Sequence, residues 1–128
     1  LEALGVFQDT SDAQGHGSAW NGIGNVQFSQ REYTAARDSY QKGLMVFKEA
    51  DNPYWQAGLL GNLAGVLMHL DDLKGARHCY EQSMMLRETI SDRHGQAFAL
   101  NGLADVHLRL GEVAEAHEKS KRAIRLLQ

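Results

Sequence analysis

Proline is almost absent from the 128 residues, with Pro53 the only one. A proline removes a helical hydrogen bond and clashes with the preceding turn, so its scarcity leaves long helices open through nearly the whole chain. Ala, Leu, Gln, Glu, Lys and Arg, which favour helix, are plentiful. Cysteine is as scarce: Cys79 stands alone. That excludes an internal disulfide and falls short of the four Cys or His ligands of structural zinc, and a reducing, cytoplasmic setting is expected. No apolar run approaches the roughly 18 residues of a membrane span, and no basic start with an apolar stretch and a cleavage site opens the chain. Charge of one sign is lacking too. The 13 Lys and Arg against 16 Asp and Glu give a net charge of −3, so neither nucleic acid nor membrane is expected as a partner.

What is present is a repeat. Trp20-Asn21-Gly22-Ile23-Gly24-Asn25-Val26 aligns with Leu60-Gly61-Asn62-Leu63-Ala64-Gly65-Val66 and with Leu100-Asn101-Gly102-Leu103-Ala104-Asp105-Val106, each 40 residues on and without a gap. The register continues through Ala36, Ala76 and Ala116, and through Tyr40 and Tyr80. Asp12, Asn52 and Asp92 recur in phase as acceptors for the amides of a helix start, and Pro53 follows where the first turn needs no donor. Further breaks fall at Gln30-Arg31-Glu32, Leu70-Asp71-Asp72 and Leu110-Gly111-Glu112. The spacing predicts helices near 13–30, 33–50, 53–70, 73–90, 93–110 and 113–127. Shifted by 40, Leu4 falls on Leu44 and Phe7 on Phe47. Residues 1–11 therefore read as the tail helix of a preceding repeat, followed by units at 12–51, 52–91 and 92–128.

Within a unit the apolar positions keep helical spacing. Leu60, Leu63, Leu67 and Leu70 make one stripe, and Leu73, Ala76, Tyr80 and Met84 the facing one. Small residues at Gly24, Ala64 and Ala104, and at Ala36, Ala76 and Ala116, allow close helix approach. The expected architecture is all-α: one domain over 1–128, a right-handed superhelical solenoid of antiparallel helix pairs with about seven helices, its inner face made by the first helix of each pair. Apolar residues to the last turn, at Ile124, Leu126 and Leu127, and a start inside a unit suggest a segment of a longer protein.

These residues resemble the tetratricopeptide repeats, whose pattern runs Trp/Leu, then Leu-Gly, an aromatic, an Ala and a Phe/Tyr. It reads here as Trp20, Ile23, Gly24, Gln27, Ala36, Tyr40; then Leu60, Leu63, Ala64, Leu67, Ala76, Tyr80; then Leu100, Leu103, Ala104, His107, Ala116, Ser120. The 40-residue period departs from the usual 34 and is similar to the long-helix variety of bacterial signalling regulators and some eukaryotic adaptors. In such proteins a clamp for a carboxylate tail uses Lys, Asn and Arg. Asn25 and Asn62 match it, but Asn21, Phe98 and Gly102 stand where cations are wanted, so the resemblance does not extend to acidic tails.

Signals for chemistry are weak. Gly22-Ile23-Gly24 lacks the strand and third glycine of a dinucleotide loop and is accounted for by the repeat. None of the 6 histidines forms an i, i+4 pair with another or with Cys79, so no metal site is expected. No nucleophile stands in a recognisable context, no cofactor loop is present, and no enzyme is expected. The run His117, Lys119, Lys121, Arg122 and Arg125 reads as cations opposing a helix dipole. Tyr54-Trp55 reads as a staple over the inter-unit core or as an aromatic gate.

The inner face is where glycine concentrates. Gly58, Gly61 and Gly65 lie at i, i+3 and i+7, each costing up to about 1 kcal/mol against Ala. Two readings stay open: the glycines let successive first helices pack closely, or they floor a groove for a partner's backbone. On the second reading Asn21, Asn25, Asn62, Asn101 and Asp105 supply donors and acceptors. Phe98 shares their face, and Phe28, Met68 and Leu108 form an apolar row beyond. The expected function is a non-catalytic scaffold binding a peptide or helical segment of a partner protein in this groove. Self-association through the faces at 1–9 and 113–127, and an effector-sensing segment of a multidomain bacterial signalling or transcriptional regulator, are the alternatives.

Overall fold

The computed structural model describes the backbone of residues 2–128 and the side chains of residues 12–128. Among the described residues six helices follow one another: α1 (Glu2–Ser29), α2 (Tyr33–Glu49), α3 (Pro53–His69), α4 (Leu73–Thr89), α5 (Arg93–Arg109) and α6 (Val113–Leu127). The helices after α1 start at 33, 53, 73, 93 and 113, where the repeat predicts them.

All five turns share one construction. A single residue in the left-handed region ends each helix: Arg31, Asp51, Asp71, Ser91 and Gly111, with φ of 64°, 52°, 62°, 58° and 79°. The next amide then reaches back five residues, as Glu32 N donates to Gln27 O and Asp92 N to Arg87 O, both at 2.8 Å, closing carbonyls that the helix end leaves unpaired. Side chains cap three of the starts. Asn52 accepts from the amide of Trp55 (3.2 Å), Asp72 from Gly75 (3.0 Å) and Asp92 from Gly95 (2.9 Å). Glu32 and Glu112 make no such bond. Glu112 instead accepts from Nδ1 of the buried His107 at 2.7 Å.

The helix start expected at Asp12 is not observed: α1 runs through it from Glu2, which gives six helices against the about seven expected. At Asn52 and Asp92 the preceding helix packs against the one that follows, and this holds the residue before the cap in the left-handed region. No helix precedes α1 among the described residues, and helix propagation continues through Asp12. The pairing of residues 1–11 with a preceding repeat, and Leu4 and Phe7 with it, lies outside the described side chains.

Each helix packs on the next, α1 with α2, α3 with α4 and α5 with α6 inside the units, α2 with α3 and α4 with α5 between them. α3 also touches α5, and Asn62 Nδ2 of α3 donates to Asn21 Oδ1 of α1 at 2.8 Å, so the first helices form one continuous layer. The core between the layers holds Leu60, Leu63, Leu67, Ala76 and Tyr80, and a second cluster gathers Met84, Ala97, Ala99, Leu100 and Ala123. Gly24, Ala64 and Ala104, with Ala36, Ala76 and Ala116, are all buried. Trp55 stacks on Phe47 at 5.1 Å across the α2–α3 junction while Tyr54 stays exposed, so the staple is Trp55 alone. Cys79 lies in the core. Burial, with the nearby Asp72 carboxylate adding and Lys48 opposing, pushes its thiol up to about 11, and at neutral pH it is protonated.

Candidate functional site

The exposed side of the first-helix layer carries the residues singled out by the repeat, and half of them converge on one cavity of about 310 Å³. Asn25 and Phe28 come from α1, Gly61, Asn62 and Gly65 from α3, and Phe98 from α5. Ser29 joins at the rim, and Tyr40 and Tyr80, from the second helices, form part of the lining. The two tyrosines belong to the core stripe in sequence. Their recurrence at the 40-residue period is the signal that could have placed them under the groove, since the first two units each send one phenol toward the first-helix layer.

Hydrogen bonds fix which polar atoms the groove presents. Tyr40 Oη donates to Asn25 Oδ1 at 2.6 Å, which turns the Asn25 amide nitrogen to another partner. Asn62 and Asn21 share one bond, so Asn21 keeps its donors and Asn62 keeps its oxygen. The floor thus offers two carboxamide donor groups and one acceptor beside glycine backbone. Burial, and then the Asp105 carboxylate, raises the Tyr80 phenol above its ordinary value, so it stays protonated as well.

The glycines divide between the two readings. A Cβ on Gly61 would meet the Phe98 ring at 3.3 Å, so Gly61 serves packing between α3 and α5. A Cβ on Gly58 or Gly65 would meet nothing within 4 Å. No contact inside the molecule requires glycine at those two positions, although each lowers helix stability.

Apolar groups stand at both ends. Phe28 packs edge-on against Tyr33 (5.6 Å) and His69 (5.0 Å), and His69 Nδ1 donates to the Gly65 carbonyl at 3.0 Å. Phe98 is largely exposed, with the Arg87 guanidinium 5.9 Å from its ring centre. Asn101, Asp105 and Leu108 continue the same face of α5 outside the cavity and are exposed, with Asp105 3.9 Å from Arg109. Met68 corrects the expected row: its side chain is buried in the core, and Arg109 Nη1 donates to its carbonyl at 3.3 Å. The middle unit is covered by units on both sides, which sinks the position that Phe28 and Leu108 leave accessible.

Among the described residues no group of three or more His, Cys, Asp or Glu side chains is arranged to hold a metal ion, and no helix is long and apolar enough to cross a membrane.

A family model described as tetratricopeptide repeat matches residues 55–128. No curated protein matches the chain. Among solved structures, the TPR domain of Arabidopsis FLU superposes with a TM-score of 0.84 at 16% identity, over 90% of this chain and 97% of that one. BtubC (BKLC) from P. vanneervenii superposes with a TM-score of 0.81 at 19% identity, over 86% of this chain and 46% of that one, so this chain spans less than half of that protein's length. Identities this low carry the fold and nothing finer. With the family model covering more than half of the sequence and helix pairs stacked in the same manner, the chain belongs to the tetratricopeptide-repeat family.

Proposed function

We propose that this protein is a non-catalytic interaction scaffold whose first-helix groove takes a peptide or helical segment of a partner protein. The tetratricopeptide fold supports a protein-interaction scaffold in general. One observation carries the finer reading. Gly58 and Gly65 have open space where a side chain would stand, on the face that presents the donors of Asn21 and Asn25 and the oxygen of Asn62. Bare backbone beside unspent carboxamides lets a partner's main chain approach and pair its own amides. Phe28 and Phe98 supply apolar contacts at the two ends. The lining contains no Lys, Arg, Asp or Glu, so the stretch of ligand taken here is neutral and not an acidic tail. The reading takes 12–51, 52–91 and 92–128 as the units, with 1–11 as the tail of a preceding one, in a reducing cytoplasmic setting.

Selection from a displayed peptide library, followed by titration of the winning peptides, tests this. Gly65→Arg fills the open floor and is expected to abolish binding, while Asn62→Ala weakens it about tenfold, at unchanged helicity. Peptides that bind both variants as well as the native chain overturn the groove.

A further inference from the structure

A crevice recurs along the second helices, and the repeat changes its chemistry from one unit to the next. Between α2 and α4, over α3, it has a volume of about 310 Å³ and is lined by Lys48, Gln56, Gln82, Met85 and Leu86 among others. Forty residues on, between α4 and α6 and over α5, the equivalent crevice has about 320 Å³, with Glu88, Gln96, Arg122, Arg125 and Leu126 in the matching places. The glutamine and the leucine keep their type. Gln96 is buried and its Nε2 donates to the Arg87 carbonyl at 3.3 Å, so this part of the lining is fixed by the fold. The rim changes instead. Gln82 is replaced by Arg122 and Met85 by Arg125, and Arg93 joins the lining at the place of Pro53. Neither crevice shares a residue with the first-helix groove.

Three guanidiniums around one cavity repel one another unless an anion neutralises them. Among the described residues Arg93 and Arg122 make no ion pair, and Arg125 has only Glu118 at 3.4 Å. Both side chains of that pair are more than half exposed, so it contributes little. Glu88, the one acid in the lining, pairs with none of the three. The lining therefore carries three positive charges against one negative, an excess of two.

We infer that the crevice between α4 and α6 binds a phosphate monoester. Such a group carries about −1.5 to −2 at neutral pH, which meets the excess, whereas a carboxylate or a phosphodiester brings a single negative charge. Arginine is the only cation in the lining, and its planar fork matches phosphate oxygens. Arg122 and Arg125 lie at i and i+3 on one side of α6, and Arg93 approaches from the first turn of α5. Met84 and Leu126 line the same crevice and take the apolar part of the ester. The ester comes either from a phosphorylated side chain of another protein or from a free phosphate compound, and the test separates these sources.

Binding is read from NMR shifts of the amides of Arg93, Arg122 and Arg125. The probes are a blocked glycine-alanine pentapeptide with a central phosphoserine, its unphosphorylated form, its glutamate form and inorganic phosphate. The phosphopeptide is expected to bind with a Kd of about 1 mM or tighter, the glutamate form about tenfold more weakly, and the unphosphorylated form not at all. Arg93→Gln and Arg122→Gln, both at exposed positions, each weaken phosphopeptide binding about tenfold. Lys121→Gln, outside the lining, leaves it unchanged. Glu88→Gln removes the opposing charge and tightens binding about threefold, a gain that damage to the fold could not produce. A phosphopeptide at least about tenfold tighter than inorganic phosphate supports the site and assigns the ester to a protein; equal affinities support it and assign the ester to a free compound. No shift at these amides up to about 10 mM phosphopeptide, equal binding of the phosphorylated and unphosphorylated peptides, Arg122→Gln binding like the native chain, or Glu88→Gln without tightening overturns the inference.

Discussion

Gly65 and Gly102 sit in equivalent kinds of helix and act in opposite senses. At Gly65 a methyl group would enter open space, whereas at Gly102 it would enter the ring of Tyr80. Gly65→Ala is therefore expected to stabilise the fold by about 0.5–1 kcal/mol, the helix propensity gained. Gly102→Ala is expected to cost about 1–3 kcal/mol, because the buried ring has to move. Urea unfolding of the two variants checks this, and shifts of the same sign would remove the distinction. The sequence makes both positions visible as glycines of a repeat, but it does not distinguish them. Tyr40 and Tyr80 occupy one repeat position, yet Tyr40 packs on Gly24 of its own unit and Tyr80 on Gly102 of the next. The residues opposite differ between units: Ala64 stands where the first unit has Gly24, and Asn62 where the third has Gly102. Met68 is a similar case, since its register agrees with Phe28 and Leu108 while its depth is set by the units on either side.

At the scale of helices, Asp92 joins α4 to α5 more firmly than Asp72 joins α3 to α4. Both accept from the amide three residues on. Asp92 also holds Arg87 at 3.2 Å, with both side chains mostly buried, and Arg87 Nε donates to Ser83, which in turn donates to the Ala57 carbonyl. Gly95 makes room for the pair, since a Cβ there would collide with Arg87 and Asp92. Asp72→Ala loses a cap, about 1 kcal/mol, whereas Asp92→Ala also leaves a partly buried guanidinium unpaired and is expected to cost about 2 kcal/mol. Equal losses in thermal unfolding would show that the bridge contributes nothing. The caps at Asn52 and Asp92, and every helix start after α1, were legible because residue type and period coincide there, whereas Asp72 was legible as a break and not as a cap. The left-handed residues were not. Arg31 and Ser91 are types that do not announce positive φ, and Asp51 and Asp71 do so only weakly; all four adopt it where the helices on either side pack together. Asp12 shows the converse, for the same residue type leaves α1 unbroken where no preceding helix is described to turn against it.

Across the whole molecule, burial is distributed unevenly, and so is resistance to opening. α3 and α5 each contribute nine buried residues, while α6 contributes two, Ala116 and Ala123. Local opening of a repeat stack costs the interfaces broken, and α6 breaks only its interface with α5. In dilute solution the amides of α6 are therefore expected to exchange with solvent about 100-fold faster than those of α3. Uniform protection across α3 and α6 would mean that the stack opens only as a whole.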